Sequence, residues 1–254
     1  MDIWEAVAVC AAGVGAGTIN TIVGSGTLIT FPVLLAVGLP PVTANVSNAL
    51  GLVPGSVSGA VGYRRELRGQ RDRVLRLGSV AVLGSLIGAA LLISLPPGAF
   101  EMIVPVLIAS ALVLVVAQPR LARLVRRRRE RKGHRPPAHG GSALTGGMGL
   151  ASVYGGYFGA AQGVLYLALM GLLLPDDLQR VNAVKNVLSA IVNGVAAVFF
   201  LFVAEFDWTA VLMVALGSTV GGQLGARIGR RLPPTALRAV IVLVGLAAII
   251  QLLR

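Results

Sequence analysis

Long apolar stretches, broken by short clusters of glycine, proline or arginine, make up nearly the whole chain. The first runs from Ile3 to Leu39. One bilayer span takes roughly 20 residues, so this stretch is too long for a single helix. It is interrupted at Asn20-Thr21-Ile22-Val23-Gly24-Ser25-Gly26, where glycine and small polar residues weaken helix propensity. The pattern predicts a helix over Ile3–Ile19 and a short one over Thr27–Val37, closed by Pro40-Pro41. Further helices are predicted over Val42–Tyr63, Val74–Leu95 and Gly98–Gln118. The pattern then recurs. An apolar stretch from Ala143 to Leu174 is interrupted around Tyr154-Gly155-Gly156-Tyr157-Phe158-Gly159, and predicted helices follow over Leu178–Ala204, Trp208–Arg227 and Pro233–Leu252.

The recurrence is visible in the letters. Leu95-Pro96-Pro97-Gly98-Ala99 returns 137 positions later as Leu232-Pro233-Pro234-Thr235-Ala236. At the same offset, Leu83-Gly84-Ser85-Leu86-Ile87-Gly88-Ala89 falls on Val220-Gly221-Gly222-Gln223-Leu224-Gly225-Ala226, and one position further on Ser47-Asn48 falls on Lys185-Asn186. Three matches in order at a nearly constant offset point to an internal duplication. The chain therefore divides into a first membrane repeat over residues 1–118, a basic cytoplasmic linker over 119–141 and a second membrane repeat over 142–254.

Loop charge orients the halves. The Arg64–Arg76 and Arg120–Arg135 segments are basic and belong inside, as does the Arg227–Arg238 turn; the acidic Glu205-Phe206-Asp207 turn belongs outside. The helix beginning at Val74 then runs outward while its counterpart at Trp208 runs inward. Equivalent helices pointing in opposite directions require an odd number of crossings per half and place both termini outside. The fold class predicted is an all-α integral membrane protein of two inverted-topology repeats, each of about five helical segments with a short or broken opening pair, an architecture shared by many secondary transporters.

Composition agrees. Hydrophobic residues make up 56% of the 254, charged residues only 13%, and the mean hydropathy is +0.83, so lipid must cover what one soluble core could not. The net charge of +12 would suit a nucleic-acid partner, but the basic residues sit in short runs between apolar segments, which argues against one. A single cysteine, Cys10, excludes a disulfide framework or a cysteine-built metal site, and His134 and His139 both lie in the basic linker. The partners implied are the bilayer and a small anion, with association between copies left open. No cofactor is implied.

The strongest site signal is a polar stripe on an apolar helix. Asn182, Lys185, Asn186, Ser189 and Asn193 stand at relative positions 0, 3, 4, 7 and 11, which puts them on one helical face. A lysine near the centre of a span costs about 2.5–3.5 kcal/mol on insertion scales. Such a group normally faces a bundle interior or a wet cavity. The other reading is that Lys185 snorkels to a surface while the asparagines bond across helices. The first half echoes the stripe without its charge, in Asn45, Ser47 and Asn48. One cation among amide and hydroxyl donors suits an oxyanion.

The second signal is the broken opening segment of each half: Asn20 and Ser25 with Gly24 and Gly26 in one, Tyr157 and Gln162 with Gly159 and Gly163 in the other. Helices that start after such breaks present free N–H groups and a positive dipole end to an anion; close packing through glycine is the alternative. Glycines at four-residue spacing, Gly51, Gly55 and Gly59, Gly84 and Gly88, and Gly217, Gly221, Gly225 and Gly229, read as packing seams. No phosphate-loop motif is present, no carboxylate lies clearly at mid-membrane, and no catalytic constellation appears, which disfavours ATP-driven pumping, a carboxylate proton relay and an enzyme. A passive anion channel stays open as the alternative to a carrier.

Several motifs resemble the sulfite exporter family (TauE/SafE). In the first half these are Gly24-Ser25-Gly26, Phe31-Pro32-Val33-Leu34-Leu35, Gly38-Leu39-Pro40-Pro41 through Ala44 to Ser47-Asn48, and Tyr63-Arg64-Arg65. In the second they are Trp208 through Gly225-Ala226-Arg227 and then Arg231-Leu232-Pro233. The resemblance implies a permease of the prokaryotic cytoplasmic membrane for sulfite, organosulfonates or related anions. It carries over no binding residues. The second half departs from the family pattern at Gly159-Ala160-Ala161-Gln162-Gly163 and Val184-Lys185.

Overall fold

The computed structural model describes residues 1–132 and 141–228, together with Leu243 and Leu246. All regular structure among them is helical: α1 (Ile3–Ile22), α2 (Thr27–Ala36), α3 (Pro41–Gly62), α4 (Arg71–Ser94), α5 (Pro97–Lys132), α6 (Gly141–Tyr157), α7 (Gln162–Leu173), α8 (Leu178–Phe200) and α9 (Trp208–Ile228). Among the described residues five stretches are long and apolar enough to cross a bilayer: α1, α4, Gly98–Ala117 of α5, α8 and α9. The apolar helices α2 and α7, at 10 and 12 residues, are too short to do so; at 1.5 Å per residue they reach about 15 and 18 Å against a hydrocarbon core of about 30 Å.

Local chemistry sets the ends. Asp2 and Glu5 form a reciprocal capping box at α1, each side chain accepting from the other's backbone N–H at 2.7 Å. Pro41 opens α3 at a position where its missing N–H costs nothing. The Asp177 side chain caps α8 by accepting from the Gln179 N–H.

Three boundaries differ from the sequence-based expectation. α1 continues to Ile22, so Asn20 and Thr21 lie in its last turn and the break is confined to Val23–Gly26. α6 runs through Tyr154–Tyr157 and the second break is residues 158–161, where Gly159 (φ 76°) and Ala161 (φ 57°) adopt the left-handed region that ends a helix. α5 does not stop at Gln118 but carries the start of the basic linker as helix to Lys132, because Leu, Ala, Arg, Glu and Lys are all strong helix formers. The predicted Pro233–Leu252 helix, Gly229, His134 and His139 lie outside the described residues, though Leu243 and Leu246 are helical.

Small residues decide the packing. α1 lies along α9, and a Cβ on Gly17 would come within 2.7 Å of Ser218 Cα. α4 lies along α6 in the same manner: a Cβ on Gly156 would come within 2.8 Å of Ser85 Cα, and one on Gly84 within 2.7 Å of the Gly149 carbonyl. Gly51, Gly55, Gly59, Gly88, Gly217, Gly221 and Gly225 meet neighbouring helices equally closely, so these glycines are packing seams. α3 packs on α8, α3 also packing on α9 and α8 on α4. The outward faces expose Leu83, Ile87, Val106, Val113, Leu212 and Val220, as a lipid-facing surface does.

Candidate functional site

The two breaks meet. Gly163 at the start of α7 donates its N–H to the Gly24 carbonyl at 2.9 Å. Gly24 has φ 85°, and a Cβ there would overlap Gly163 Cα, so both the backbone conformation and the contact demand glycine. This junction joins the first half's break to the second half's.

Around it the polar residues fall into two clusters. The first lies at the C-terminal end of α1. Lys185 is fully buried, and its Nζ donates to the main-chain carbonyls of Asn20 at 2.6 Å and Thr21 at 3.0 Å. Asn182 and Asn186 donate through Nδ2 to the same Thr21 carbonyl, at 3.1 and 3.3 Å. These are carbonyls that α1 itself leaves without partners, and they carry the negative end of its dipole. Lys185 therefore does not snorkel; the stripe turns inward onto a helix end. Asn20 also donates through its side chain to Ser56 Oγ at 3.1 Å, which ties the same turn to α3.

The second cluster lies where α3 meets the end of α6. Asn45 donates through Nδ2 to the Tyr157 carbonyl at 3.0 Å. Asn48 accepts from the Thr30 hydroxyl and donates to Thr27 Oγ1 at 3.3 Å, which holds the short α2 against α3. Asn45, Asn48, Asn193 and Thr27 line a small cavity with the Gly155-Gly156 backbone, Phe158 and Phe200. It is a narrow space with room for about one water. An oxyanion does not fit there in this conformation.

Both clusters hold polar groups without partners. Ser25 Oγ, Thr21 Oγ1, Tyr157 Oη and the Oδ1 atoms of Asn182 and Asn186 are buried with no hydrogen bond. Buried groups of this kind are costly to leave unmet, and these five lie close to the two breaks. Two of the residues singled out from the sequence spend their hydrogen bonds outside both clusters. Ser47 accepts from the Asp207 N–H at 3.0 Å and so ties α3 to the α8–α9 turn. Gln162 donates to Tyr166 Oη at 2.6 Å, in a chain that continues to Ser152 between α6 and α7. Sequence reasoning passed over Thr27 and Thr30, which only the packing of α2 onto α3 identifies, and over the acceptors on α1 and α6, because every residue carries a main-chain carbonyl.

A buried polar seam inside apolar helices, several long enough to span, defines a multi-pass membrane protein of the transporter class. The sequence model for the family described as "Sulfite exporter TauE/SafE" matches residues 9–252. The chain belongs to that family. It is 27% identical over 230 residues to the "Probable membrane transporter protein YfcA" of Escherichia coli K12, covering 90% of this chain and 82% of that protein. It is 26% identical over 238 residues to the "Probable membrane transporter protein ORF9" of Sinorhizobium sp, covering 94% and 88% respectively. It is likewise 26% identical over 234 residues to a "Probable membrane transporter protein" of Haemophilus influenzae, covering 91% and 88%. No solved structure matches the chain. Family and relatives alike carry transporter names and not enzyme names.

Proposed function

We propose that the chain is a permease that moves a small anion, sulfite or an organosulfonate, across a prokaryotic cytoplasmic membrane. The observation that carries this reading is Lys185: a fully buried lysine that no carboxylate pairs among the described residues, set at the junction of the two halves amid amide and hydroxyl groups. A desolvated cation of that kind attracts an anion strongly, and the family's printed name supplies the sulfur oxyanion.

The transport cycle is alternating access between two inverted repeats, with both termini external and the basic segments inside. Reciprocity in the packing supports it. α1 lies on α9 and α6 on α4, α3 packs on α9 and α8 on α4, and each half has its own short helix after a break. Asn182 of α8 donates to the end of α1, and Asn45 of α3 donates to the end of α6. The narrow cavity fits an occluded member of such a cycle. Lys185, Asn182 and Asn186 at one level and Asn45, Asn48 and Asn193 at the other would receive the anion in turn as the Gly24–Gly163 junction parts, with Ser25 and the Tyr157 hydroxyl available beside it.

The test is radiolabelled sulfite flux in proteoliposomes. Wild type should saturate and show counterflow, and Lys185→Ala should abolish flux while the protein remains folded by circular dichroism. Unchanged flux in the variant would remove Lys185 from the mechanism; flux without saturation or counterflow would make the protein a channel.

A further inference from the structure

The end of α1 gathers oxygens of the type that bind an alkali cation. The main-chain carbonyls of Asn20 and Thr21 converge on one point, marked by Lys185 Nζ. The Oδ1 atoms of Asn182 and Asn186, on the two residues whose Nδ2 atoms reach the Thr21 carbonyl, are buried without a hydrogen-bond partner; the Thr21 hydroxyl, also unpartnered, lies instead against Gly59 of α3. In transporters with broken membrane helices, half-helix C-terminal ends and unwound carbonyls coordinate sodium. Neutral oxygen donors without a carboxylate also suit a monovalent ion better than calcium or magnesium, which recruit carboxylates. Here the centre of that arrangement is filled by the chain's own amine.

We propose that the α1 end is an alkali-cation site whose resident cation is Lys185 Nζ, tethered to α8 where other transporters would bind a free sodium ion. The side chain closes the α1 end, joins α8 to α1 and holds positive charge at the junction without drawing on a sodium gradient. The stem is fitted for the purpose: a Cβ on Gly163 would come within 2.8 Å of Lys185 Cδ, so glycine at 163 leaves the room through which the lysine reaches the carbonyls. The consequence is sodium independence in the wild type, and a sodium requirement that appears when the amine is removed and the space left open.

This inference rests on the proposed function only in taking the chain to be a transporter, and its test needs no transported substrate. Wild type, Lys185→Ala and Lys185→Met are purified in detergent and melted in sodium chloride and in choline chloride at equal ionic strength, so that chloride is common to both arms. Wild type should melt at the same temperature in the two salts. The Ala variant, with an oxygen-lined hole, should gain roughly 3 °C in sodium once sodium exceeds its dissociation constant about tenfold. The Met variant fills the hole with an apolar chain and should not respond. A sodium response in the wild type, equal responses in Ala and Met, no response in Ala, or failure to recover the Ala variant even in sodium would each overturn the proposal. Loss of sulfite flux in Lys185→Ala without any sodium response would sink this inference and leave the anion-permease reading standing.

Discussion

Gly163 donates its N–H to the carbonyl of Gly24 at 2.9 Å, and the two α-carbons lie too close for either residue to carry a side chain. The two breaks in the membrane helices are thereby in backbone contact. Gly24→Ala meets both a positive φ and a clash with Gly163 Cα, and should lose about 2–4 kcal/mol of stability. Gly163→Ala strikes Gly24 and the Lys185 stem and should lose about 1–3 kcal/mol. Gly146→Ala, on an exposed turn of α6 with open space around it, should instead gain about 0.5–1 kcal/mol of helix propensity. Reversible unfolding of the three variants in detergent checks the order; an equal effect at all three would show that the junction is not close-packed.

Asn45 and Asn182, each bonded to the end of another helix, should not be equally costly to remove. Asn45 is the one donor seen on the Tyr157 carbonyl, whereas the Thr21 carbonyl that Asn182 reaches also accepts from Lys185 and Asn186. Asn45→Ala leaves a partly buried acceptor without its donor and should cost about 1–2 kcal/mol. Asn182→Ala leaves Thr21 with two donors and should cost about 1 kcal/mol or less. Chemical denaturation of the two variants measures the difference, and a larger loss for Asn182→Ala would contradict it.

Asn193 lines the cavity beside Asn45 and Asn48 without a hydrogen bond tying it to another helix, so its contribution should be to passage of the anion. Asn193→Leu fills the space with an apolar side chain. Sulfite flux should fall at least about tenfold, equivalent to about 1.4 kcal/mol, while the melting temperature holds or rises. Full flux in this variant would place the pathway elsewhere.

Orientation is open to direct labelling. In a Cys10→Ser background, a cysteine at the exposed Glu205 should react with a membrane-impermeant maleimide added to whole cells, and one at the exposed Arg68 only after permeabilisation. The reverse pattern would invert the topology and put the basic loops outside.

The sequence by itself determined the elements and their membrane character. Apolar runs of span length, Pro40-Pro41 and the breaks at Gly24 and Gly159 are local properties, governed by hydrophobicity and backbone freedom, and apart from α5 the described helices lie within a few residues of where those signals put them. The periodicity of Asn182, Lys185 and Asn186 also marked an inward face, because a charge or amide facing lipid is too costly to keep. What the letters did not carry was the acceptor. Lys185 could have reached a surface, an anion or a carboxylate; it ends on the Asn20 and Thr21 carbonyls, about 165 residues away, and main-chain carbonyls have no sequence signature. The same holds for Asn45 on Tyr157, for Ser47 on the Asp207 N–H and for Gln162 on Tyr166. α1 and α5 outran their predicted ends for related reasons: donors from α8 meet the carbonyls of the last α1 turn, and charged residues continue a helix as readily as apolar ones. Only the tertiary structure brings the two breaks together, since that contact depends on how segments about 140 residues apart pack and on the absence of two side chains, and not on any residue's own preference.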